Sequence, residues 1–203
     1  MSNATRVHTK VTRDDWISAA LVAVANEPID QLRVLALAKT LDVSRSSFYW
    51  YFDAPSDLLD ELMAIWERNT ASIVDRSERA AATPTQACLG VFECWADDQL
   101  FNPQLDLAVR DWGRRSPDAG ERVSAADECR HEALVKMFAR HGFDAPESTV
   151  RARLLYHSQV GYYAVGTDEP VETRLAYLPY YLRAMTGSDP TDSEIEAFKS
   201  EIA

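Results

Sequence analysis

Leu32-Arg33-Val34-Leu35-Ala36-Leu37-Ala38-Lys39-Thr40-Leu41-Asp42-Val43-Ser44-Arg45-Ser46-Ser47-Phe48-Tyr49-Trp50-Tyr51-Phe52 is the stretch on which the fold turns. Apolar residues recur at Val34, Leu37, Ala38 and Leu41, one face of a short helix, and the run stops at Asp42. Ser44 then reads as the cap of a second helix over 44–52, which buries Phe48 and Phe52 at i and i+4 and leaves Arg45, Ser46 and Trp50 more exposed. Two short helices across a tight turn have the spacing of a helix-turn-helix. The same periodicity fits an ordinary helical hairpin inside a core. In a helix-turn-helix the second helix enters the major groove, with its first residues toward base edges and hydroxyls or helix N-termini on phosphates. Arg45 and the hydroxyls of Ser46 and Ser47 are donors of that kind.

The flanks extend the helical pattern in both directions. Upstream, Trp16, Ile17, Ala20, Leu21 and Val24 form an amphipathic stripe with Thr12 as N-cap, and Pro28 follows its end. Downstream, a long helix is expected from Ser56, its cap, toward Ala80, with Leu58, Leu62, Ile65, Trp66 and Ile73 on one side. Pro84 opens another helix, a shorter one spans Leu105 to Trp112, and Pro117 opens a long one that ends at His141-Gly142. Two further helices run over about 146–165 and 171–185, the second interrupted by Pro179, and a polar tail helix over 192–202. The fold class expected is all-α.

Composition agrees. Among 203 residues 46% are apolar, 26% are charged and only 7 are glycine, which fits neither a disordered chain nor a β-sandwich with its frequent turns. No apolar run is long enough to span a bilayer, so no membrane partner is expected. Cys88, Cys94 and Cys129 cannot all pair and form no Cys-x-x-Cys frame. With no secretory signal at the N-terminus, they point to reduced thiols and a cytoplasmic protein. Met1 to Ala4 reads as an expression scar.

Charge is distributed unevenly. The net charge is −11, yet residues 1–52 hold six Lys or Arg against five acids, which leaves −12 on the remainder. A nearly neutral first quarter joined to a strongly acidic body places a boundary near Phe52: a head over 1–55 and a body over 56–203.

Trp16 to Trp66 resembles the DNA-binding head of TetR-family transcriptional regulators. The resemblance rests on Ile17 to Ala25, on Val34-Leu35-Ala36-Leu37-Ala38, on Leu41-Asp42-Val43-Ser44, on Ser47-Phe48-Tyr49-Trp50-Tyr51-Phe52 and on Leu58-Leu59. It implies that Tyr49 and Ser47 meet phosphate, that Phe48 and Phe52 are buried, and that Arg33, Ser44, Arg45, Ser46, Ser47, Tyr49, Trp50 and Tyr51 form a DNA-binding set. Trp50 suits packing on deoxyribose or a thymine methyl, or against neighbours in the head. Three residues depart from the family pattern. Asp42 stands for the usual turn glycine, a costlier choice where φ must be positive. Arg33 stands for a capping threonine and brings a cation instead. Pro55 stands for a lysine, which removes one phosphate contact. The basic arm Arg6 to Arg13 is either a compensating contact with DNA or a disordered tail.

The body resembles the family only loosely. Phe92, Trp95, Trp112, His131, Phe138 and Tyr156 are candidate ligand-binding residues, since rings with few polar tips suit an apolar small-molecule site, although each ring suits a plain core as well. Leu154, Ser158, Gly161 and Val165 mark one helix face and Leu175, Leu178, Leu182 and Met185 another, a pair suited to a four-helix dimer seam or to packing within the chain. The resemblance implies a homodimer through this region, bound to a pseudo-palindromic double-stranded operator and released by a small organic effector.

Enzymatic readings find little support. Glu128 and His131 make a single Glu-x-x-His where a di-iron bundle needs two, and neither a nucleophile elbow nor a glycine-rich phosphate loop occurs. No catalytic residue, metal or cofactor is expected. A helical small-molecule-binding protein or enzyme without sequence-specific DNA binding is the alternative.

Overall fold

Thr12 opens the first helix as its sequence requires. The computed structural model describes residues 11–97, 100–167 and 169–202. In it the Thr12 hydroxyl accepts from the Asp15 N–H while the Asp15 carboxylate accepts from the Thr12 N–H, a complete capping box at the start of α1 (Arg13–Ala23). Met1 to Ala4, and the basic arm from Arg6 to Lys10, lie outside the described residues. Arg13, the arm's last member, is an internal strut: it donates to Glu61 at 2.7 Å and stands 5.0 Å over the Phe52 ring.

Helix α2 (Val34–Thr40) follows, with Arg33 at its N-cap and no side-chain cap bond there. Asp42 adopts φ +54°, the left-handed geometry the turn demands. The next segment, Arg45–Trp50, is a 3-10 helix rather than the expected α-helix. Its opening explains why. The Ser47 N–H and hydroxyl both reach back three residues to the Ser44 carbonyl, at 3.1 and 2.7 Å, which tightens the turn. Ser44 holds the N-cap position, but its hydroxyl meets that of Ser46 at 2.9 Å and caps no backbone N–H. Helix α3 (Pro55–Glu78) starts one residue ahead of Ser56, which therefore is not its cap. Asp57 serves there, its carboxylate accepting from the N–H groups of Asp53 and Ala54, both at 2.9 Å.

The chain divides into two compact units, 1–65 and 66–203, and the division falls inside α3. The first unit is built on aromatic packing. Phe48 is fully buried, edge-on to Trp16 at 5.2 Å and stacked on Phe52 at 4.8 Å, with Ile29, Leu37, Leu58 and Leu62 also buried.

In the second unit three helices start on proline preceded by a capping side chain. Thr83, Asn102 and Ser116 accept from the backbone N–H three residues on, at the heads of α4 (Pro84–Ala96), α5 (Pro103–Arg115) and α6 (Pro117–Arg140). Helix α5 is longer at both ends than the expected Leu105–Trp112. A β-carbon on Gly120 would sit 2.7 Å from the Gly113 carbonyl oxygen, so the tight corner between α5 and α6 requires glycine there. Helix α7 (Ala145–Ala164) is capped by Asp144, and α8 (Val171–Thr186) ends on Gly187 with φ +76°. Pro179 lies inside α8, where it has no N–H to offer the carbonyl one turn earlier. A capping box of Thr191 and Glu194 opens α9 (Asp192–Glu201), and Glu194 also accepts from Thr85 at 2.9 Å and from Thr83, tying α9 to the head of α4. Burial opposes the Glu194 charge, but these hydroxyl and backbone donors outweigh it and hold its carboxyl below the usual glutamate range.

Cys88, Val91, Leu134, Met137, Phe138, Leu155 and Leu182 form the centre of this unit's core. All three cysteines are free, and burial pushes the Cys88 thiol up to about 12. Among the described residues there is no strand, and no helix is long and apolar enough to cross a membrane.

Candidate DNA-binding face and ligand cavity

The turn at Asp42 and the 3-10 segment sort the candidate DNA contacts into two groups. Arg33, Ser44, Arg45, Ser46, Tyr49 and Trp50 are exposed, Trp50 by 73% of its surface. Arg45 donates to the Tyr49 hydroxyl at 3.2 Å and lies 6.0 Å over its ring, so cation and phenol form one unit. Ser47 and Tyr51 are turned inward, contrary to expectation. Ser47 is buried with its proton on the Ser44 carbonyl, and the Tyr51 hydroxyl donates to the Val11 carbonyl at 2.5 Å. A 3-10 helix turns about 120° per residue instead of 100°, which is how positions placed outward on an α-helical wheel come to face the unit's own backbone.

In the second unit the walls of α4, α7, α8 and α9 enclose a cavity of about 530 Å³, within the range of small-molecule sites. Phe92, Trp95, Leu178 and Phe198 supply much of its apolar wall, and Ser158, Gln159, Tyr162, Glu169 and Arg174 its polar points. Two of the six expected ligand residues, Phe92 and Trp95, line it. The other four do not. Phe138 is fully buried in the core against Phe143, and the Tyr156 hydroxyl is consumed by ionic partners. Trp112 and His131 are carried by α5 and α6, which contribute nothing to the cavity wall. Gln159, Glu169 and Arg174 carry no ring, and amide and charged residues suit a solvated helix face equally well; Tyr162 is a ring like the six candidates, with nothing in its spacing to single it out.

Tyr156 belongs instead to a largely buried ionic network that joins two local helical pairs, Asp106–Arg110 and Asp127–Arg130, across helices. The Trp66 indole N–H donates to Asp106 Oδ1 at 2.7 Å, and Arg110 Nε donates to Asp106 Oδ2 at 2.8 Å. Arg110 also grips Asp127 with both terminal nitrogens, at 2.7 and 2.9 Å, and donates to the Tyr156 hydroxyl at 2.6 Å. Arg130, only 1% exposed, donates to Asp127 and Tyr156, and its guanidinium stacks 4.5 Å over Trp66. Two arginines thus balance two aspartates, which makes the near-complete burial of Asp106 and Arg130 tolerable, while Asp127 stays partly exposed. Burial opposes the charge on Asp127, but donors and charge from Arg110, then the Tyr156 hydroxyl and Arg130, hold its carboxyl below the usual aspartate range.

Because that pKa is lower folded than unfolded, the stabilisation is present above the ordinary aspartate range and is withdrawn only as pH falls through the held-down value. Asp127→Asn should therefore lower the urea midpoint at about pH 7, with a deficit that shrinks progressively as pH falls below the ordinary aspartate range. A deficit that stays constant as pH falls would show that the carboxylate charge is not what matters.

The expected dimer faces also separate. Leu154, Ser158 and Val165 on α7 are exposed, Val165 by 77%, and Gly161 is half-buried beside them. Leu178, Leu182 and Met185 on α8 are buried in the chain's own core and Leu175 packs against it, so this stripe is spent within the protomer. The outward face of α8 carries Tyr177, Tyr180 and Tyr181. Ser158, Val165 and Tyr181 belong both to this surface and to the cavity wall, so the cavity opens there.

No family model and no curated protein sequence matches the chain. Solved structures do. AmtR of Mycobacterium smegmatis is 16% identical, with 96% of this chain and 95% of that one covered at a TM-score of 0.63. A TetR-family transcriptional regulator from Streptomyces coelicolor is also 16% identical, with 94% and 87% covered at a TM-score of 0.54. Over nearly its whole length, this chain has the all-helical fold found in TetR-family transcriptional regulators.

Proposed function

We propose that the protein is a TetR-like DNA-binding transcriptional regulator, a cytoplasmic homodimeric repressor released from a pseudo-palindromic operator by a small organic effector. Residues 1–55 are its DNA-binding domain and 56–203 its ligand-binding and dimerisation domain. The observation that carries this reading is the exposed set Arg33, Ser44, Arg45, Ser46, Tyr49 and Trp50 around a helix-turn-helix, on a fold shared with known regulators. Arg45 suits a guanine edge in the major groove, while Tyr49 and the two serine hydroxyls suit phosphate.

The effector site is the cavity bounded by Phe92 and Trp95. Dimerisation uses the exposed α7 face, Leu154, Ser158, Gly161 and Val165, together with the outward tyrosines of α8. Effector favours a body conformation in which the paired heads no longer match successive major grooves, and by reciprocity DNA weakens effector binding by the same factor. Neither the exposed face nor the cavity calls for catalysis.

Selection from random duplexes should return two half-sites about one helical turn, ~10 bp, apart or a multiple of that. Arg45→Ala should weaken the selected duplex by about 1–3 kcal/mol and relax preference at one base pair of each half-site. Failure to enrich any duplex would favour the small-molecule-binding alternative, and an unchanged affinity in Arg45→Ala would remove Arg45 from the reading face.

A further inference from the structure

The cavity's polar points specify what it takes. Among the described lining residues the one acid and the one base are both engaged: Glu169 accepts from the Tyr162 hydroxyl at 3.2 Å, and the Arg174 guanidinium stacks 5.1 Å over the Tyr162 ring. An anionic ligand would meet the Glu169 carboxylate and a cationic one the Arg174 guanidinium, so the described lining favours neither sign. Gln159, also on the lining, is only 8% exposed, and its side-chain nitrogen has no hydrogen-bond partner among the described residues. Aromatic and aliphatic walls, Phe92, Trp95, Leu178 and Phe198, surround the remaining space. A buried N–H with no acceptor is a standing cost that most folded proteins avoid, and a ligand acceptor removes it.

We infer that the cavity takes an uncharged, largely apolar organic molecule bearing a carbonyl-type acceptor, seated so that the acceptor receives the Gln159 Nε2 proton while the apolar body lies against Phe92 and Trp95. The inference rests on the effector reading of the cavity and adds the chemical class of the effector. Seating the acceptor there requires the Gln159 amide to turn toward the cavity, since its nitrogen is closed to solvent as it stands.

Four probes with one body and different heads test it by calorimetric titration into the full-length protein: methyl naphthyl ketone, ethylnaphthalene, naphthoate and naphthylmethylammonium. The ketone should bind roughly tenfold tighter than ethylnaphthalene, which has a similar shape and no acceptor, and tighter than either ion. In Gln159→Leu the ketone and ethylnaphthalene should converge while ethylnaphthalene binding persists, which also reports that the variant is folded. Phe92→Ala should weaken all the probes that bind. Equal affinity of ketone and ethylnaphthalene in the parent protein, as expected if a water alone satisfies Gln159, would overturn the acceptor class and leave the cavity reading standing. So would tightest binding of naphthoate or of the ammonium. Absence of binding by all four would sink the cavity reading itself, and this inference with it.

Discussion

Asp106→Ala is expected to destabilise the second unit by about 3–5 kcal/mol, the cost of breaking a buried ion pair by removing one partner. Asp106 is nearly inaccessible, and its two oxygens are divided between the Trp66 indole at 2.7 Å and Arg110 Nε at 2.8 Å. Deleting the carboxylate leaves an indole N–H without an acceptor and strips a negative charge from a site that contains Arg110 and Arg130. The loss is read from urea denaturation, as a lowered midpoint with little change in slope. Removing one member of the exposed Arg183–Asp189 pair is the control, expected to leave the urea midpoint essentially unchanged. A comparable small effect at Asp106 would mean that the network adds little to the stability of the fold.

Phe48→Ala carries the second large effect, about 3–5 kcal/mol against the first unit. The ring is fully buried between Trp16 and Phe52, so truncation leaves a cavity at the centre of a small core that has little else to collapse into it. Amide hydrogen exchange distinguishes the consequence from general unfolding. Protection should fall in α1 and α2 while the amides around Val91, Leu134 and Met137 keep theirs. Specific DNA binding should fall in parallel, because Arg45 and Tyr49 are held in place by the segment that Phe48 anchors. Uniform loss of protection across both units would contradict a core confined to the first.

What the sequence disclosed depended on whether the determining contacts are local. Capping residues and N-terminal prolines act within one turn, and Thr12, Pro84 and Pro117 stand where their chemistry places them. Burial of Phe48 and Phe52 was readable for the same reason. The inward turn of Ser47 and Tyr51 was not, since it follows from a 3-10 twist set by a serine hydroxyl bonded to a carbonyl. On α8 the stripe Leu175, Leu178, Leu182 and Met185 announced a buried face without saying what buries it, and the chain's own core does. The ionic network as a whole lay beyond reach. Its members, Trp66, Asp106, Arg110, Asp127, Arg130 and Tyr156, come from four helices; the pairs Asp106–Arg110 and Asp127–Arg130 stand at i, i+4 and i, i+3, but no spacing along the chain joins one pair to the other or to Trp66 and Tyr156. Gln159 gave no signal either, because an amide on a helix is ordinary until its neighbours are known to be apolar.

The central claim, that the exposed face around Arg45 and Tyr49 recognises a DNA sequence, is tested most directly by fluorescence anisotropy. The full-length protein is titrated with duplexes tiling the region upstream of its own gene, at physiological salt and with excess random competitor. The account predicts a saturable, competitor-resistant complex with at least one duplex in an operator search extended by the selected sites, and its weakening in Arg45→Ala. Binding that competitor abolishes on every duplex, selected sites included, would contradict it.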